Sequence, residues 1–267
     1  MIGKIIINGQ IKAVTGLAIG GSKTDMTIGG IDNNVIKTSE GVPFIPGSSL
    51  KGKLRSLLER KNNKDKVCNC GKKDCEICVI FGTGMKSKKE EKDEAGLSRL
   101  NVKEEKDEAG LTRLYVRDAF LYDPTKREME NKEGIFSNLE LAYTEVKWEN
   151  TINRLKGKAD NPRQQERVPA GSVFEMNLIY NLMIEDDIDM FKHLMEAMRL
   201  LEDDYLGGNG SRGYGRVQFE NLEIICKTIN DYKEGNQGTS IYSGYFKDVN
   251  QKEVVQKINA VVGEEGQ

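Results

Sequence analysis

The chain has little of several features that would identify an enzyme or a membrane protein directly. Among its 267 residues there are one histidine, His193, and one tryptophan, and no run of about 20 apolar residues that could cross a membrane. A single histidine excludes a ribonuclease that works through a histidine pair. On an acidic helix it is more readily an incidental surface residue than a general acid or base. We therefore expect a soluble, cytoplasmic protein without a membrane partner.

The net charge is also small, at −2, but the charges are unevenly distributed. Residues 47–66 carry seven Lys or Arg against two acids, and residues 146–168 carry six against three. Residues 181–204 instead carry eight acids against two bases. One basic and one acidic face would cancel in the total, which is compatible with a nucleic-acid partner. Each run is equally compatible with an ordinary solvated surface.

Residues 20–60 contain the most informative pattern. Paired glycines before Asp32 let the backbone turn sharply or approach a ligand closely, which places this carboxylate in a loop, where functional groups concentrate. Without further information, the pattern favours a turn residue at Asp32 that bonds its own backbone. Further on, Ser48 or Ser49 is predicted to cap a helix over about 48–61 whose leucines share one face. A helix start with free N–H groups, hydroxyls and lysines is typical of a phosphate site.

Four cysteines fall within eleven residues, as a CxC followed by a CxxC: Cys68, Cys70, Cys75 and Cys78. Each short loop brings two thiolates together, so that all four can bind one tetrahedral zinc ion. An iron–sulfur cluster uses the same ligand type and stays open as an alternative, whereas disulfides are disfavoured in a reducing cytosol. The pattern predicts a structural zinc knuckle.

Two further segments are rich in features that suit a sugar–phosphate backbone. The glycine loop, residues 207–215, has five glycines in nine residues, which frees its backbone to wrap a phosphate. Arg212 and Tyr214 there offer a charge and a stacking face. The basic stretch 149–171 suits a protruding hairpin that contacts phosphates and wedges between bases, or a plain exposed connection between strands.

The remaining chain gives a coarse order of elements. Residues 89–100 recur at 103–114 with one substitution; two copies do not make a solenoid, and we interpret them as a solvated insertion of unassigned role. Periodicity predicts strands and helices in the order strand, helix, strand, strand, helix, strand. The predicted elements are strands at 2–14, 113–121, 139–148, 172–183 and 216–229, and helices at 48–61, 186–204 and about 254–262. This order suggests an α+β, ferredoxin-like (RRM-like) βαββαβ core.

Several motifs in these segments match a known family. GGSxTxMxIGGIDNxVI, PFIPGSSLKGKLRSLLE, ENTINRL, NPRQxERVPAG and GGNGSRGYG resemble the repeating backbone subunit of type III-A CRISPR interference (Csm) complexes, the third Csm subunit, in the RAMP superfamily. The resemblance implies one RAMP domain over 1–267, whose ferredoxin-like palm carries large insertions. These are a Cys-rich and charged insertion at 62–112, a thumb-like hairpin insertion at 122–171 and a C-terminal extension at 230–267.

The resemblance also implies partners and an activity. Family members stack as copies along a CRISPR guide RNA, beside other Csm subunits that include the large polymerase-like one. They cleave the bound target RNA at regular intervals through a loop aspartate that falls on Asp32, with Mg²⁺ or another divalent metal. Two alternatives stay open: a purely structural guide-binding scaffold and, ranked third, a stand-alone endonuclease that processes CRISPR RNA, a group that commonly uses a histidine.

The resemblance and the local chemistry together give the expected RNA contacts. They are Ser22, Lys23, Ser48, Ser49, Lys51, Lys53, Arg55, Arg154, Arg163, Arg167, Gly208, Asn209, Gly210, Ser211, Arg212, Gly213 and Tyr214. Asp32 would either hold the divalent ion, with RNA phosphates completing its shell, or orient the attacking 2′-hydroxyl. Ala18 stands where relatives often have histidine, so that any contact from an imidazole is lost.

Overall fold

The computed structural model describes residues 1–21, 32–63, 66–83 and 111–263 of the chain. These residues form an α+β fold around a five-stranded sheet in which every neighbouring pair of strands is antiparallel. The predicted site residues Ser22 and Lys23 lie outside the described residues, as does the duplicated charged segment up to residue 110. No helix in the described part is both long and apolar enough to cross a membrane.

The central strand of the sheet is β1, Gly3–Ala13, whose isoleucines favour extended backbone. It pairs on one side with β7, Val173–Leu182, and on the other with β8, Val217–Thr228. β3, Leu114–Val116, extends the sheet beyond β7, and β9, Thr239–Gly244, extends it beyond β8. The strand order is therefore β3-β7-β1-β8-β9.

Helices cover one face of this sheet. α1, Gly47–Lys61, packs against α4, Asp186–Asp203, which in turn packs against α6, Gln251–Gly263. Side chains along a strand alternate between faces, so that every second residue of β1 joins the leucines of α1 in the core. Fully buried examples are Ile5, Ile7, Ile11, Leu50, Leu54 and Leu58.

Shorter elements lie outside this core. Two strand pairs stand apart from the sheet: β2 with β4, and β5 with β6, which form an antiparallel hairpin. Their bounds are Phe44–Ile45 (β2), Ala119–Phe120 (β4), Glu145–Ile152 (β5) and Ala159–Arg167 (β6). The other helices are α2, Glu76–Phe81; α3, Asp123–Glu130; α5, Ile229–Glu234; and 3₁₀ turns at Gly134–Phe136, Gly210–Arg212 and Phe246–Asp248.

The structure corrects two predictions at the start of α1. The strand predicted over 113–121 is interrupted, because Asp118 turns away from the sheet and its Oδ1 accepts a hydrogen bond from the backbone N–H of Gly47 at 2.7 Å. This contact satisfies one of the free N–H groups at the helix start. The predicted serine cap was wrong, since α1 begins at Gly47 with Pro46 as its N-cap residue and no side chain of that residue caps it.

Other boundaries also differ. The strand predicted over 139–148 begins only at Glu145. Residues 122–139, where no element is predicted, contain α3, and the expected C-terminal extension at 230–267 contains most of α5 and all of β9 before its predicted helix. The long elements at 2–14, 172–183, 186–204 and 216–229 agree with the structure to within about two residues, which is the usual uncertainty of helix and strand ends.

Candidate nucleic-acid interface and metal centre

An open groove of about 560 Å³ separates the β5–β6 hairpin from the glycine loop. Four parts of the chain line it: the segment after β1, the segment that follows Asp32, the strand β6, and the glycine loop with Tyr205 before it. The lining residues are Ala18, Gly20, Asn33, Asn34, Arg163, Gln165, Glu166, Tyr205, Gly208, Asn209, Gly210, Ser211 and Arg212. The fold therefore brings Arg163 and most of the glycine loop, which are far apart in sequence, to one site.

Asp32 lies exposed beside this groove, at the outer edge of β6. Its Oδ2 accepts a hydrogen bond from the backbone N–H of Gln164 at 2.8 Å. The next residue, Asn33, pairs with β6 through both backbone groups, donating to the Gln164 carbonyl at 3.3 Å and accepting from the Glu166 N–H at 2.9 Å. Within the described residues the second oxygen of Asp32, Oδ1, has no hydrogen-bond partner. The carboxylate is therefore fixed in place yet open to a ligand.

A buried carboxylate holds the segment that carries Asp32. Glu166 is almost completely buried; its Oε2 accepts from the Val35 N–H at 3.0 Å, and its Oε1 accepts from the Thr144 hydroxyl at 2.6 Å and from the Lys37 ammonium. A buried charge is tolerated when it is paired and hydrogen-bonded in this way. Glu166 thus connects β6 to the chain that follows Asp32 and to Thr144, just before β5.

The glycine loop is docked on the segment that follows β1. The Gly208 N–H donates to the Ala18 carbonyl at 2.8 Å, and the Gly215 N–H donates to the Gly16 carbonyl at 2.9 Å. Gly207 has a φ of +78°, and a Cβ there would lie 2.4 Å from the Ala18 oxygen. Only glycine combines this backbone conformation with so close an approach, so the loop geometry depends on it.

Two arginines of the groove converge on one carboxylate. Arg212 of the glycine loop lies 3.3 Å from Glu149 Oε2, and Arg163 of β6 lies 3.7 Å from the same atom. Glu149 is thereby a bridge between the β5–β6 hairpin and the glycine loop. Both guanidinium groups remain about half exposed, so their free N–H groups face the groove and can bind an anion.

Lys53 lies behind the groove and is not part of its lining. Its Nζ is 3.3 Å from Asp204 and 3.7 Å from the centre of the Tyr205 ring, and the side chain is only 13% exposed. The same ring packs against Gly210, where a Cβ would lie 1.9 Å from it. Tyr205 therefore joins α1 to the glycine loop. The phosphate contact expected of Lys53 stays a prediction, and its observed contacts support the loop instead.

Tyr214 does not offer the predicted stacking face, because it is buried. Its ring lies beneath Lys147 Nζ at 4.6 Å and the Arg167 guanidinium at 5.1 Å. Burial, together with the nearby Glu149 carboxylate, raises the pKa of Tyr214 to about 12. Arg167 in turn donates to Glu145 at 2.6 Å. Both residues stabilise the base of the hairpin.

The remaining predicted contacts lie elsewhere. Ser48 and Lys51 line a separate cavity of about 520 Å³ at the start of α1, with Ser49 beside Ser48 in the same helix turn. The Lys51 ammonium donates to the Leu114 carbonyl at 2.7 Å, and burial, followed by the neighbouring Arg55, lowers the pKa of Lys51. Gly213 takes a left-handed φ of +83° at the end of the glycine loop.

Arg55 and Arg154 are not at the groove. The Arg55 guanidinium donates to Glu59 and to the carbonyls of Cys68 and Gly82 at 2.6–3.1 Å. These bonds hold it against the cysteine segment, residues 68–82, and its contact with RNA stays a prediction. Arg154 lies exposed at the turn of the hairpin.

The four predicted cysteine ligands converge. Their sulfur atoms all lie within 4.8 Å of one another, and the closest pairs are 3.6–3.9 Å apart. Four thiolates around one tetrahedral zinc ion at 2.3 Å would be about 3.8 Å apart. A cluster of several iron atoms would spread its thiolates more widely, so the spacing favours a single ion. The cluster is fixed to α1 because Glu59 accepts a hydrogen bond from the Cys68 N–H at 2.9 Å.

Sequence reasoning missed Tyr205, Glu149 and Glu166 as parts of the site. Tyr205 directly precedes the glycine loop, so its position was a usable signal. Glu149 and Glu166 lie in the predicted basic stretch, where acids were counted only against the net charge. Nothing in the sequence indicates that Glu166 is buried among donors from two other segments.

A family model for the RAMP superfamily matches residues 10–218 of the chain. Curated relatives include three proteins named "CRISPR system Cms endoribonuclease Csm3". That of Methanocaldococcus jannaschii is 42% identical over 94% of this chain and 92% of its own length. The Methanothermobacter thermautotrophicus protein is 43% identical over 92% and 96% of the two chains, and the Streptococcus thermophilus protein is 42% identical over 85% and 96%.

Solved structures also resemble the chain. The crystal structure of the Csm3-Csm4 subcomplex in the type III-A CRISPR-Cas interference complex aligns with a TM-score of 0.57 at 30% identity, over 98% of this chain and 97% of that chain. A cryo-EM structure of the Type III-B Cmr-beta bound to cognate target RNA aligns with a TM-score of 0.51 at 16% identity, over 84% and 61% of the two chains. The second similarity concerns the fold alone.

Proposed function

Because this chain belongs to the RAMP superfamily, we propose that it is a guide-RNA-binding subunit of a type III-A CRISPR effector complex and cleaves the target RNA bound there. Its similarity to endoribonucleases named Csm3 extends over most of both sequences. The observation that carries the proposal is Asp32, an exposed carboxylate that the Gln164 N–H fixes beside a groove lined by arginines and glycine backbone.

The domain arrangement proposed with this function is a single RAMP domain over residues 1–267. The strand order β3-β7-β1-β8 with helices α1 and α4 between the strands supports a ferredoxin-like palm. The β5–β6 hairpin, within 122–171, is the proposed thumb. Residues 62–112 and 230–267 are a metal-binding insertion and a C-terminal extension. Proposed partners are further copies of this chain and the other Csm subunits, including the large polymerase-like one.

The groove is the proposed binding site for guide phosphates. Arg163 and Arg212 supply guanidinium donors, and the glycine loop supplies close backbone approach. Lys53 supports the loop from behind through the ring of Tyr205, which itself lines the groove. A second proposed phosphate contact lies at the start of α1, outside the groove. It consists of Ser48, Ser49 and Lys51, of which Ser48 and Lys51 line the separate cavity there. Arg154 at the hairpin turn is placed to reach a phosphate beyond the palm.

Asp32 is the proposed catalytic residue. The Oδ1 atom, which is open, would accept the proton of the 2′-hydroxyl beside the scissile phosphate. The 2′-oxygen then bonds to phosphorus while the 5′-oxygen leaves and takes a proton from solvent, which yields a 2′,3′-cyclic phosphate and a 5′-hydroxyl. A splayed nucleotide brings these atoms into line, and that alignment supplies much of the rate.

A divalent ion such as Mg²⁺ would neutralise charge on the phosphate. Within the described residues the cysteine cluster is the one group of three or more His, Cys, Asp or Glu side chains placed for a metal. Asp32 therefore offers a single ligand oxygen, and RNA phosphates would complete the shell. The cysteine cluster, with its tetrahedral spacing, suits a structural zinc ion instead.

The test is to reconstitute the complex with guide RNA and Mg²⁺ and to compare wild type with Asp32→Ala. We expect the substitution to abolish target cutting and to leave target affinity unchanged, since Asp32 makes no contact that the palm needs. Asp189→Ala, which removes an exposed aspartate of α4, is the matched control and should cut normally. Cutting at the same sites by the Asp32→Ala complex would make this chain a scaffold and place the nuclease elsewhere.

A further inference from the structure

The single tryptophan of the chain, Trp148, is 62% exposed on the β5–β6 hairpin. An exposed indole leaves a large apolar surface in water, and most other residues of β5 are polar. Its neighbours along β5 are Lys147, Glu149 and Asn150. The exposure therefore calls for a binding partner.

Trp148 lies close to Asp32 across the strands of the hairpin. It is directly opposite Gln164 in the β5–β6 pairing, and the backbone N–H of Gln164 is the group that holds the Asp32 carboxylate. Asp32, Gln164 and Trp148 thus lie on three adjacent extended segments. Two spacings between neighbouring strands separate the first backbone from the third, which is about 10 Å.

The indole points away from the glycine loop. Lys147 and Glu149, the residues on either side of Trp148, face that loop, since Lys147 Nζ lies over the Tyr214 ring and Glu149 pairs with Arg212. Successive side chains of a strand point to opposite faces, so Trp148 projects from the other face of the hairpin. It is therefore outside the groove proposed for guide phosphates but still beside Asp32.

The surroundings fit a nucleobase better than a protein surface. The next exposed apolar residue of β5, Ile152, is four positions away, or about 13 Å along an extended strand, so the two do not form one apolar patch of the kind that protein interfaces bury. An isolated aromatic side chain beside an amide side chain, here Gln164, is typical of sites that stack on an unpaired base and bond its edge.

We propose that Trp148 stacks on a nucleobase of the target RNA next to the phosphate that Asp32 engages. This inference rests on the proposed function, because it needs a target strand to pass Asp32. The stack would hold the neighbouring nucleotide out of the duplex, so that its 2′-hydroxyl and the scissile bond can align. Trp148 is then a positioning residue for cutting, and Asp32 remains the group that meets the reacting atoms.

The first experiment reads the indole directly. Trp148 is the only tryptophan of the chain, so replacing tryptophan by 5-hydroxytryptophan in this subunit labels position 148 alone. The label can be excited selectively, at a wavelength where the tryptophans of other subunits do not absorb. The complex carries Asp32→Ala so that target stays whole. We expect complementary target RNA to quench the reporter, and guide loading or non-complementary RNA to leave it unchanged. A change on assembly before target is added would show that the indole packs on protein, and no change with target would also overturn the proposal.

The second experiment measures cutting. Trp148→Leu should slow target cutting about tenfold, as expected for the loss of one base–aromatic stack, whereas Trp148→Phe, which keeps an aromatic face, should retain most of the rate. Guide loading should be normal in both. Tyr245→Leu, which removes an aromatic side chain of similar exposure (59%) between β9 and the turn at Phe246–Asp248, is the control and should cut normally. Equal rates for Trp148→Leu and wild type would contradict the proposal.

The reporter signal and the cutting by Asp32→Ala test the role of Trp148 and the proposed function independently. If the reporter is quenched by target while Asp32→Ala still cuts, Trp148 stacks on the base but the nuclease assignment fails. If Asp32→Ala abolishes cutting while the reporter ignores target, the function holds and the role of Trp148 is wrong.

Discussion

Tyr205 supports two parts of the groove with one aromatic ring. The Lys53 ammonium lies 3.7 Å from the ring centre, and Gly210 packs so closely on the ring that no Cβ fits between them. A cation close to an aromatic face is worth about 1 kcal/mol when partly shielded from water. Lys53 lies outside the groove lining, whereas Tyr205 and Gly210 are part of it, so the two contacts keep the glycine loop in position.

This arrangement predicts different results for two substitutions of the same residue. Tyr205→Phe keeps the ring and should bind guide RNA as wild type does. Tyr205→Leu removes it and should weaken binding about fivefold, the equivalent of about 1 kcal/mol. Dissociation constants measured over a series of salt concentrations check this, since a displaced phosphate contact also lowers the slope against log salt by about one.

Gly210→Ala is the companion variant, because its added methyl group collides with the ring. It should weaken guide binding at least as much as Tyr205→Leu. Identical binding by all three variants and wild type would show that the ring does not organise the groove.

Single residues also show where sequence reasoning stops. Asp32 was predicted in a loop, and it lies at an exposed edge beside the groove. Arg55 has the same local pattern as Lys53, yet its guanidinium is committed to backbone carbonyls of the cysteine segment. A basic helix face predicts that side chains are charged, but only tertiary contacts decide which way each one turns. For the same reason the burial of Tyr214 could not be read from a glycine-rich motif.

Among the elements, the cysteine segment is the clearest case of a loop that is fixed to the core by specific contacts. It is joined to α1 by Arg55 and Glu59, and the short helix α2, which contains Cys78, buries Ile77, Ile80 and Phe81 in the core. A helix of six residues is too short to be stable alone. Its position therefore depends on the core, and an ion held by the four cysteines would add to that support.

We accordingly expect purified protein to contain one zinc ion per chain, measured by elemental analysis. Cys78→Ser should lose the ion and lower the melting temperature, because metal binding energy is also folding energy at such sites. Cys226→Ser, at a buried cysteine of β8 outside the cluster, is the control and should keep the zinc. A Cys78→Ser protein that retains zinc, or wild type free of it, would contradict the assignment.

The elements that sequence reasoning missed are short. α3 starts with Asp123-Pro124, and a proline in the first turn is typical of helix starts. α5 has a capping box between Thr228 and Asp231. Both signals were present, but neither helix is long enough to show an apolar period. The long strands and helices were predictable because their periodicity extends over two or more turns or pleats.

For the whole molecule, the order of elements along the chain predicted the arrangement of the sheet better than it predicted the site. The antiparallel neighbours of β1 are β7, which directly precedes α4, and β8, which follows α4, as the expected order βαββαβ requires. The groove, by contrast, forms where residues near 18, 33, 165 and 210 meet. Contacts between loops that are distant in sequence leave no periodic pattern in the sequence. Without the family resemblance, only the composition of these loops indicated that they could bind RNA.

The acidic and basic runs of the sequence lie on different parts of the folded molecule. The excess of acids over bases in 181–204 belongs largely to α4, and most of its exposed acids lie away from the groove. The basic stretch forms the β5–β6 hairpin beside the groove. A nearly neutral chain can thus carry a surface that attracts RNA and another that repels it, which favours one orientation on the strand.

The most direct test of the central claim uses complexes assembled from mixtures of wild-type and Asp32→Ala subunits. If each copy of this chain cuts the target through its own Asp32, every product band should weaken in proportion to the mutant fraction, with the sites of cutting and their regular interval unchanged. Target affinity should stay constant across the series. Bands that keep full intensity as the mutant fraction rises to one would show that Asp32 is not the catalytic group.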